Sequence, residues 1–440
     1  DGDGHGGTQF TVTACRAPNG YVEASDDCDD LAPAVNPSAT ETCNGTDDDC
    51  DGTVDEDDAV DAATWYADVD GDGDEDLLLG AQSGVLVAYR SATGFADAVV
   101  VATQDAMHVA PAVAFAQKGY HMLLEKPMAP DAEGCRSIVE AVLDAGIIFA
   151  VGHVLRYTAY TRTMKKVVGE GRIGEVVSIE HLEPVGYWHQ AHSFVRGNWR
   201  NETESSSMLL AKSCHDIDWL RHIVGKPCRQ VSSFGSLKHF RREEMPEGAS
   251  ERCIDCDVEA ECPYSAKRLY LDAAHEGRTG WPLDVVVPEV NPVTIAQALR
   301  EGPYGRCVYA CDNDVVDHQV VILEYDGGST ASFTMTAFNQ GSGRKTRIFG
   351  THGEIEGDSS EIRLFDFRTK EWETIDTNAS DASIIGGHGG GDFGLMGSFI
   401  EAVANRDPSR ILSGPQETLE THLTVFAAEE ARKAGKVVSV

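Results

Sequence analysis

Residues 97–128 read DAVVVATQDAMHVAPAVAFAQKGYHMLLEKPM. The opening DAVVVAT is a short apolar run of the kind found in strands buried on both faces, and it ends on the small polar Thr103. Residues 109–118 form an alanine-rich helical stretch, and a second apolar run at 121–124 leads directly into Glu125, Lys126 and Pro127. Two short apolar strands joined by one helix make a parallel βαβ unit. Open parallel sheets bind ligands beyond the carboxyl ends of their strands, so Thr103 and Lys126 are expected at the mouth of a crevice. A lysine fixed by a following proline at a strand end points into that crevice; a solvated lysine is the plainer alternative.

Charge divides the rest of the chain. The 440 residues carry a net charge of −36, with 72 acidic and 36 basic side chains. Residues 1–97 hold 24 acids and 2 bases, a net of −22; residues 98–440 hold 48 and 34, a net of −14. Such acidity argues against nucleic acid and anionic membrane as partners and for divalent cations. No apolar run reaches the ~18 residues of a membrane helix. The chain opens on Asp1 without a methionine and reads as cut from a longer protein.

The twelve cysteines follow the same division. Cys15, Cys28, Cys43 and Cys50 lie in a small-residue, Asp-rich segment whose core is too poor to stand without disulfides or metal, which suits a secreted or cell-surface setting for residues 1–97. Three pairings are open to them. The other eight cysteines lie in an enzyme-like region where thiols or metal ligation are more natural, which suits the cytoplasm.

Two acidic loops share the pattern D-x-D-x-D-G-x-x-D. One comprises Asp47, Asp49, Asp51, Gly52 and Asp55; the other comprises Asp68, Asp70, Asp72, Gly73 and Asp76. Alternate carboxylates converge hard oxygen ligands on one point, which suits Ca²⁺, against the plainer reading of a solvated acidic linker. The helices and the twelfth-position Glu of an EF-hand are lacking. G-x-G-x-x-G occurs at Gly2–Gly7 and Gly389–Gly394, but neither has the strand–turn–helix setting that would make it a phosphate loop.

The strand–helix–strand–EKP pattern, and the chain from about residue 98 onward, resemble the Gfo/Idh/MocA oxidoreductases, NAD(P)-dependent sugar and polyol dehydrogenases. The resemblance implies a Rossmann-like parallel sheet followed by a large mixed, open-faced sheet that carries the substrate site and often the oligomer interface. Strands are expected at 174–181, 231–237, 319–325, 330–337 and 346–350, and helices at 132–145, 160–170, 207–224, 393–404 and 415–433. Residues 1–70, with DDCDD and CNGTDDDCDG, resemble the metal-binding repeat of MopE-type bacterial surface proteins. Residues 67–97 resemble one FG-GAP propeller repeat, with blade strands at 77–79 and 85–89. The expected domains are 1–66, 67–97, 98–152 and 153–440.

The family resemblance assigns Lys126 to substrate and nicotinamide ribose, with Thr103, Glu125 and Pro127 beside the cofactor. Lys212 and His215 in KSCHDID are three apart, hence on one helical face; the resemblance makes His215 the general acid/base, and Lys212 could hold a developing alkoxide. An ordinary surface His–Asp pair is the bland reading. His153, Tyr157, Asp216 and His388 are weaker substrate-pocket candidates. Cys253, Cys256 and Cys262, with Cys307 from a later loop, have the spacing of a structural Zn–S₄ site; Cys311 is the alternative fourth ligand, and free thiols or Fe–S ligation are rivals.

The family's first three strands, phosphate-binding glycines and ribose-binding acid should fill roughly the 70–100 residues before this βαβ unit. The acidic segments stand there instead. The chain therefore reads as a chimera of an oxidoreductase with a calcium-binding front, poor in NAD(P) binding and turnover. Its parallel sheet is expected to expose the edge its missing neighbours would have covered. A calcium-dependent surface or adhesion protein with an inactive passenger, and an NAD-dependent glycosidase, are the alternatives. Substrate identity and NAD versus NADP remain open at this level.

Overall fold

The computed structural model describes residues 96–341, 343–377 and 387–440, the backbone of strand 85–90, and, nearer the N-terminus, Cys28, residues 35–40, Asp47, Asp49 and Cys50. The chain divides into two units, residues 1–69 and 70–440. In the first, Cys28 is disulfide-bonded to Cys50 with Cα atoms 5.6 Å apart, which selects among the three pairings. Asp47 and Asp49 precede Cys50, which holds a left-handed φ of 59°. The other loop aspartates, Asp51, Asp55, Asp68, Asp70, Asp72 and Asp76, lie outside the described residues, as does the expected strand at 77–79.

The second unit begins with a four-stranded sheet in the order β1 (Val85–Arg90), β2 (Ala96–Ala102), β3 (His121–Leu124), β4 (Phe149–Val151). β2, β3 and β4 are parallel, connected by helices α1 (Val109–Gln117) and α2 (Ala132–Ala145). Alternate residues of the strands face two separate cores. Val99, Val101, Met122, Leu124, Phe149 and Val151 pack with α1 and α2, while Ala98, Leu123 and Ala150 pack under Leu395, Phe399 and Ala402 of a later helix. Burial on both faces is why these strands read as unbroken apolar runs.

One expectation is overturned here. The outer edge of β2 is not bare, because β1 pairs with it antiparallel, Val87 opposite Val100. The stretch expected as a lone propeller-blade strand thus satisfies backbone groups that an open edge would have left to solvent.

The remaining chain forms α3 (Ala159–Gly169), β5 (Val176–Pro184), α4 (Tyr187–His189), α5 (Met208–Ala211), α6 (Cys214–Val224), β6 (Cys228–Ser236), α7 (Ala273–His275) and α8 (Pro292–Glu301). Then follow β7 (His318–Tyr325), β8 (Thr330–Thr336), β9 (Lys345–Gly350), β10 (Gly353–Gly357), β11 (Glu361–Asp366), β12 (Glu371–Asp376), α9 (Gly391–Asn405), α10 (Pro415–Ala434) and β13 (Val438–Ser439). The strands make a nine-stranded sheet in the order β12-β11-β10-β9-β5-β8-β7-β6-β13, antiparallel except for the parallel pair β5 and β8. One face alternates into the main core through Val231, Val321, Leu323, Phe333, Ile348 and Leu364, against Met164, Trp219 and Val425 of the helices. The other face leaves Phe234 and Ile322 exposed.

The helix expected over 207–224 is two helices. Ser207 caps the first by accepting from Leu210 N, and the chain breaks at Lys212 (φ −108°, ψ −57°) and Ser213 (φ −100°, ψ 11°) before α6 resumes. α6 ends at Gly225 in the left-handed region, which glycine adopts without a Cβ clash. Among the described residues no helix is long and apolar enough to cross a membrane.

Candidate active site

The carboxyl ends of β2 and β3 converge through a residue that sequence reasoning passed over, His108. It is fully buried, with Nδ1 2.8 Å from Pro127 O and Nε2 2.9 Å from Thr103 O. Its position four residues after Gln104, at the entrance of α1, was the available signal. Glu125 accepts from Lys126 N at 3.1 Å, and Gly152 lets that carboxylate approach, since a Cβ there would meet Glu125 Oε2 at 2.9 Å. His422 of α10 accepts from Met128 N at 3.0 Å through Nε2, while its Nδ1 donates to Thr418 O at 2.8 Å. The EKP segment is therefore held from both sides.

Lys126 Nζ donates to Ala211 O at 2.9 Å. That carbonyl ends α5, where the helix leaves backbone oxygens without intrahelical partners and carries partial negative charge. The break at Lys212–Ser213 therefore gives Lys126 its acceptor and brings it to the start of α6, where His215 lies. Lys126, Lys212 and Arg344 all act on His215 electrostatically, although burial is the larger cause holding its pKa well below the usual range. Burial and these positive charges thus favour the neutral imidazole of His215.

His153 is also buried. Its ring lies 5.7 Å from that of His215 and 5.6 Å from that of His422, with Nε2 3.6 Å from Asp218 Oδ1. Burial lowers its pKa to about 3. Lys212 Nζ is 3.4 Å from Glu183 Oε1, whose other oxygen is 3.0 Å from Arg344 Nε. Among the described residues, Thr103 Oγ1 and Asp105 Oδ2 at the strand ends are buried without a hydrogen-bond partner, as are both ring nitrogens of His153. Burial also raises the Asp105 pKa, against the opposing charge of Lys126.

Two substrate-pocket expectations meet a different environment. Asp216 is fully buried, accepting from Arg344 Nε at 2.5 Å and lying 3.1 Å from His181 Nε2; burial raises its pKa, but Arg344 and His181 hold it lowered. Its carboxylate is committed to the sheet. Tyr157 accepts from Leu412 N at 2.9 Å and Ser413 N at 3.1 Å and bonds Ser413 Oγ at 3.0 Å, so its hydroxyl fastens the loop before α10. His388 falls in the turn Gly387–Gly390, and its side chain lies outside the described residues. Arg344, Glu183 and His181 were missed because they meet Asp216 and Lys212 only once distant strands pair.

Cys253, Cys256, Cys262 and Cys307 line one cavity, which Cys311 does not. Among the described residues, no three His, Cys, Asp or Glu side chains form a ready-made metal cage.

A parallel sheet followed by a large mixed sheet defines one protein class, and comparison with known proteins identifies it. The chain belongs to the Gfo/Idh/MocA oxidoreductase family. The family's C-terminal alpha/beta domain matches residues 165–440, and its NAD-binding Rossmann fold matches residues 87–153. A MopE-type metal-binding motif matches residues 27–56. YteT of Bacillus subtilis (strain 168) is 26% identical over 346 residues, 73% of this chain and 76% of that protein. The 1,5-anhydro-D-fructose reductase of Ensifer adhaerens is 33% identical over 154 residues, 34% of this chain and 45% of that one. The 2,7-anhydro-N-acetylneuraminate hydratase of Escherichia coli (strain K12) is 31% identical over 144 residues, 32% of this chain and 38% of that one. The chain thus spans less than half the length of the last two.

Among solved structures, levoglucosan dehydrogenase in complex with NADH and L-sorbose superposes with a TM-score of 0.55 at 19% identity, covering 78% of this chain and 79% of that one. An aldose-aldose oxidoreductase from Caulobacter crescentus complexed with glycerol gives 0.51 at 16% identity, covering 78% and 80%. At these identities the likeness concerns the fold.

Proposed function

We propose that residues 96–440 carry the substrate half of an oxidoreductase that removes hydride from a sugar or polyol hydroxyl carbon. The observation that supports this most is the meeting of Lys126 with the helix break at Ala211, beside His215. The described residues fit the nicotinamide end of a dinucleotide. Thr103 Oγ1 and Asp105 Oδ2 are buried polar atoms lacking partners at the strand ends, and a polar ligand would complete them. A bound nicotinamide supplies the hydride acceptor. His215 accepts the hydroxyl proton, and its neutral form is the one required. Lys126 and Lys212 place positive charge beside the oxygen on which negative charge develops.

The pyrophosphate end is another matter. Dinucleotide phosphates rest on a glycine turn at a helix N-terminus that follows a parallel strand. Here β2 has an antiparallel neighbour, and the family's Rossmann match begins only at residue 87. We infer weak NAD(P) binding and low turnover for this chain. Nicotinamide fluorescence titration and a dehydrogenase assay over sugars and polyols test both halves. NAD(P) binding at micromolar affinity would overturn the inference of weak binding. Absence of His215-dependent oxidation in a version that does bind cofactor would overturn the catalytic assignment.

For residues 1–97 we propose Ca²⁺ binding through the loops at 47–55 and 68–76; the motif match over residues 27–56 supports metal binding at the first of them. The exposed Phe234 and Ile322, diagonal neighbours on β6 and β7 at the open face of the large sheet, support association of two copies through that face.

A further inference from the structure

The insert between β6 and β7 contains a second, cysteine-lined cavity. Cys253, Cys256, Cys262 and Cys307 border one cavity of about 300 Å³. Short 3₁₀ turns at Cys253–Asp255 and Glu259–Glu261 present the first three. Cys307 is fastened beside them by its backbone, which donates to Glu251 O at 2.8 Å next to a bridge between Arg252 and Arg306.

Arg196 borders the same cavity and is 1% exposed. Its Nη2 donates to Tyr264 O at 2.8 Å and reaches Cys253 Sγ at 3.5 Å, and its Nε donates to Arg306 O at 2.8 Å. Among the described residues, Nη1 is buried without a hydrogen-bond partner. The Arg196 bonds go, among the described residues, to backbone carbonyls and the Cys253 sulfur and to no carboxylate. Glu259, which also borders the cavity, is engaged by Lys267 at 3.0 Å. Burying a guanidinium without a counter-anion is costly, and an anionic partner beside it is favourable.

Four thiolates around a divalent ion carry a net charge of −2 and would offset it. We propose that Cys253, Cys256, Cys262 and Cys307 bind one Zn²⁺ as a structural tetrathiolate centre, with Arg196 as its buried counter-charge. Binding releases the four thiol protons, and with every position filled by protein the ion has no catalytic opening. Because the thiols line one cavity without forming a ready-made cage, the 3₁₀ turns must close on the ion, so metal binding and local order are coupled. Cys307 is assigned as the fourth ligand over Cys311 because it lines the cavity and Cys311 does not, the Cys311 thiol donating instead to Cys307 O at 3.3 Å.

The test is metal analysis of the full chain purified under reducing conditions. One zinc per chain is expected, reduced at least tenfold in Cys256→Ser and Cys307→Ser and kept in Cys311→Ser. Arg196→Met should keep the fold by circular dichroism but lose zinc to a chelator at least tenfold faster. If the serine variants fail to fold, Co²⁺ loaded into the wild-type chain should give thiolate charge-transfer bands with tetrahedral d–d absorption. Zinc-free protein without those cobalt bands would overturn the site. Iron in place of zinc would overturn the metal assignment, and unchanged zinc release in Arg196→Met would overturn the counter-charge.

Discussion

Lys126 Nζ and the carbonyl of Ala211 meet at 2.9 Å, joining the end of a parallel strand to the broken helix before His215 across 85 residues of sequence. Hydrogen bonds to a charged group contribute about 1.5–3 kcal/mol when partly shielded from water. Lys126→Met should therefore lower stability by about 1–2 kcal/mol, read from the urea midpoint. In a cofactor-competent version it should also abolish turnover. Full stability with lost turnover would mean that the lysine serves chemistry without the Ala211 contact.

Asp218 is a second point of convergence. Arg156 clamps it with two bonds of 2.7 Å, both side chains buried, and Thr421 donates to it at 3.2 Å. Glu417 also pairs with Arg156. Removing one member of such a pair strands the other charge, at a cost of about 3–5 kcal/mol. Asp218→Ala should lower stability by that amount in denaturant titration, and Arg156→Met/Asp218→Leu together by clearly less. Equal losses in the single and double variants would count against the pairing.

Acid stability follows from buried histidines, three of them at the site; His189, His192 and His222 are lowered too, to about 3, 4 and 4, mainly by burial. His153 has its pKa lowered to about 3, while those of His215 and His422 are also lowered, burial being the main cause in each. Between the unfolded value near 6.5 and the depressed folded values, the unfolded chain binds protons that the folded chain refuses. Stability is therefore full above pH ~6.5 and falls with pH, by up to about 1.4 kcal/mol per unit per histidine. Asp216 and Asp218, whose pKa values are lowered from 3.8 despite burial, add a further loss of the same sign at lower pH. Urea midpoints at pH 7.5 and 5.5 should differ, and His153→Asn should flatten the difference. A pH-independent midpoint would refute the assignment.

How much of this was legible in the sequence depended on the range of the interactions. Buried parallel strands and amphipathic helices declare themselves locally, so 121–124 and 132–145 were readable to the residue. The break at Lys212–Ser213 was not, because helical spacing runs unbroken from 207 to 224; tertiary contacts, Lys126 among them, fix the end of α5. Asp216 looked available for substrate because Arg344, 128 residues away, is invisible to local pattern. The strand at 85–90 was legible as a strand, but its partner was not, since an antiparallel neighbour and a propeller blade share the same alternation.

The disulfide between Cys28 and Cys50 closes a loop that holds Asp47 and Asp49. Calorimetry on the full chain should show Ca²⁺ heat with affinity at or above the millimolar limit of extracellular modules. Asp49→Asn should weaken it several-fold, and reduction of the disulfide should weaken it further. Copper binding in its place, with no calcium heat, would redirect the site to a softer metal.

The strongest consequence concerns β1. It lies beside β2 where a dinucleotide fold needs a parallel strand delivering a glycine turn, and it runs the opposite way. Dinucleotide affinity draws heavily on phosphate at a helix N-terminus, and hydride transfer needs the nicotinamide held at near-attack distance, so on the proposed reading both should be low in this chain. Replacing residues 1–96 with a family-type βαβαβ front half should raise NAD(P) affinity at least a hundredfold by fluorescence titration. It should also create sugar- or polyol-dependent cofactor reduction. In that restored protein His215→Ala should cut turnover by about 10²–10⁴-fold, the range for a general base. A restored protein that binds NAD(P) tightly yet oxidises no polyhydroxylated substrate would separate the fold from the activity and remove His215 from its assigned role.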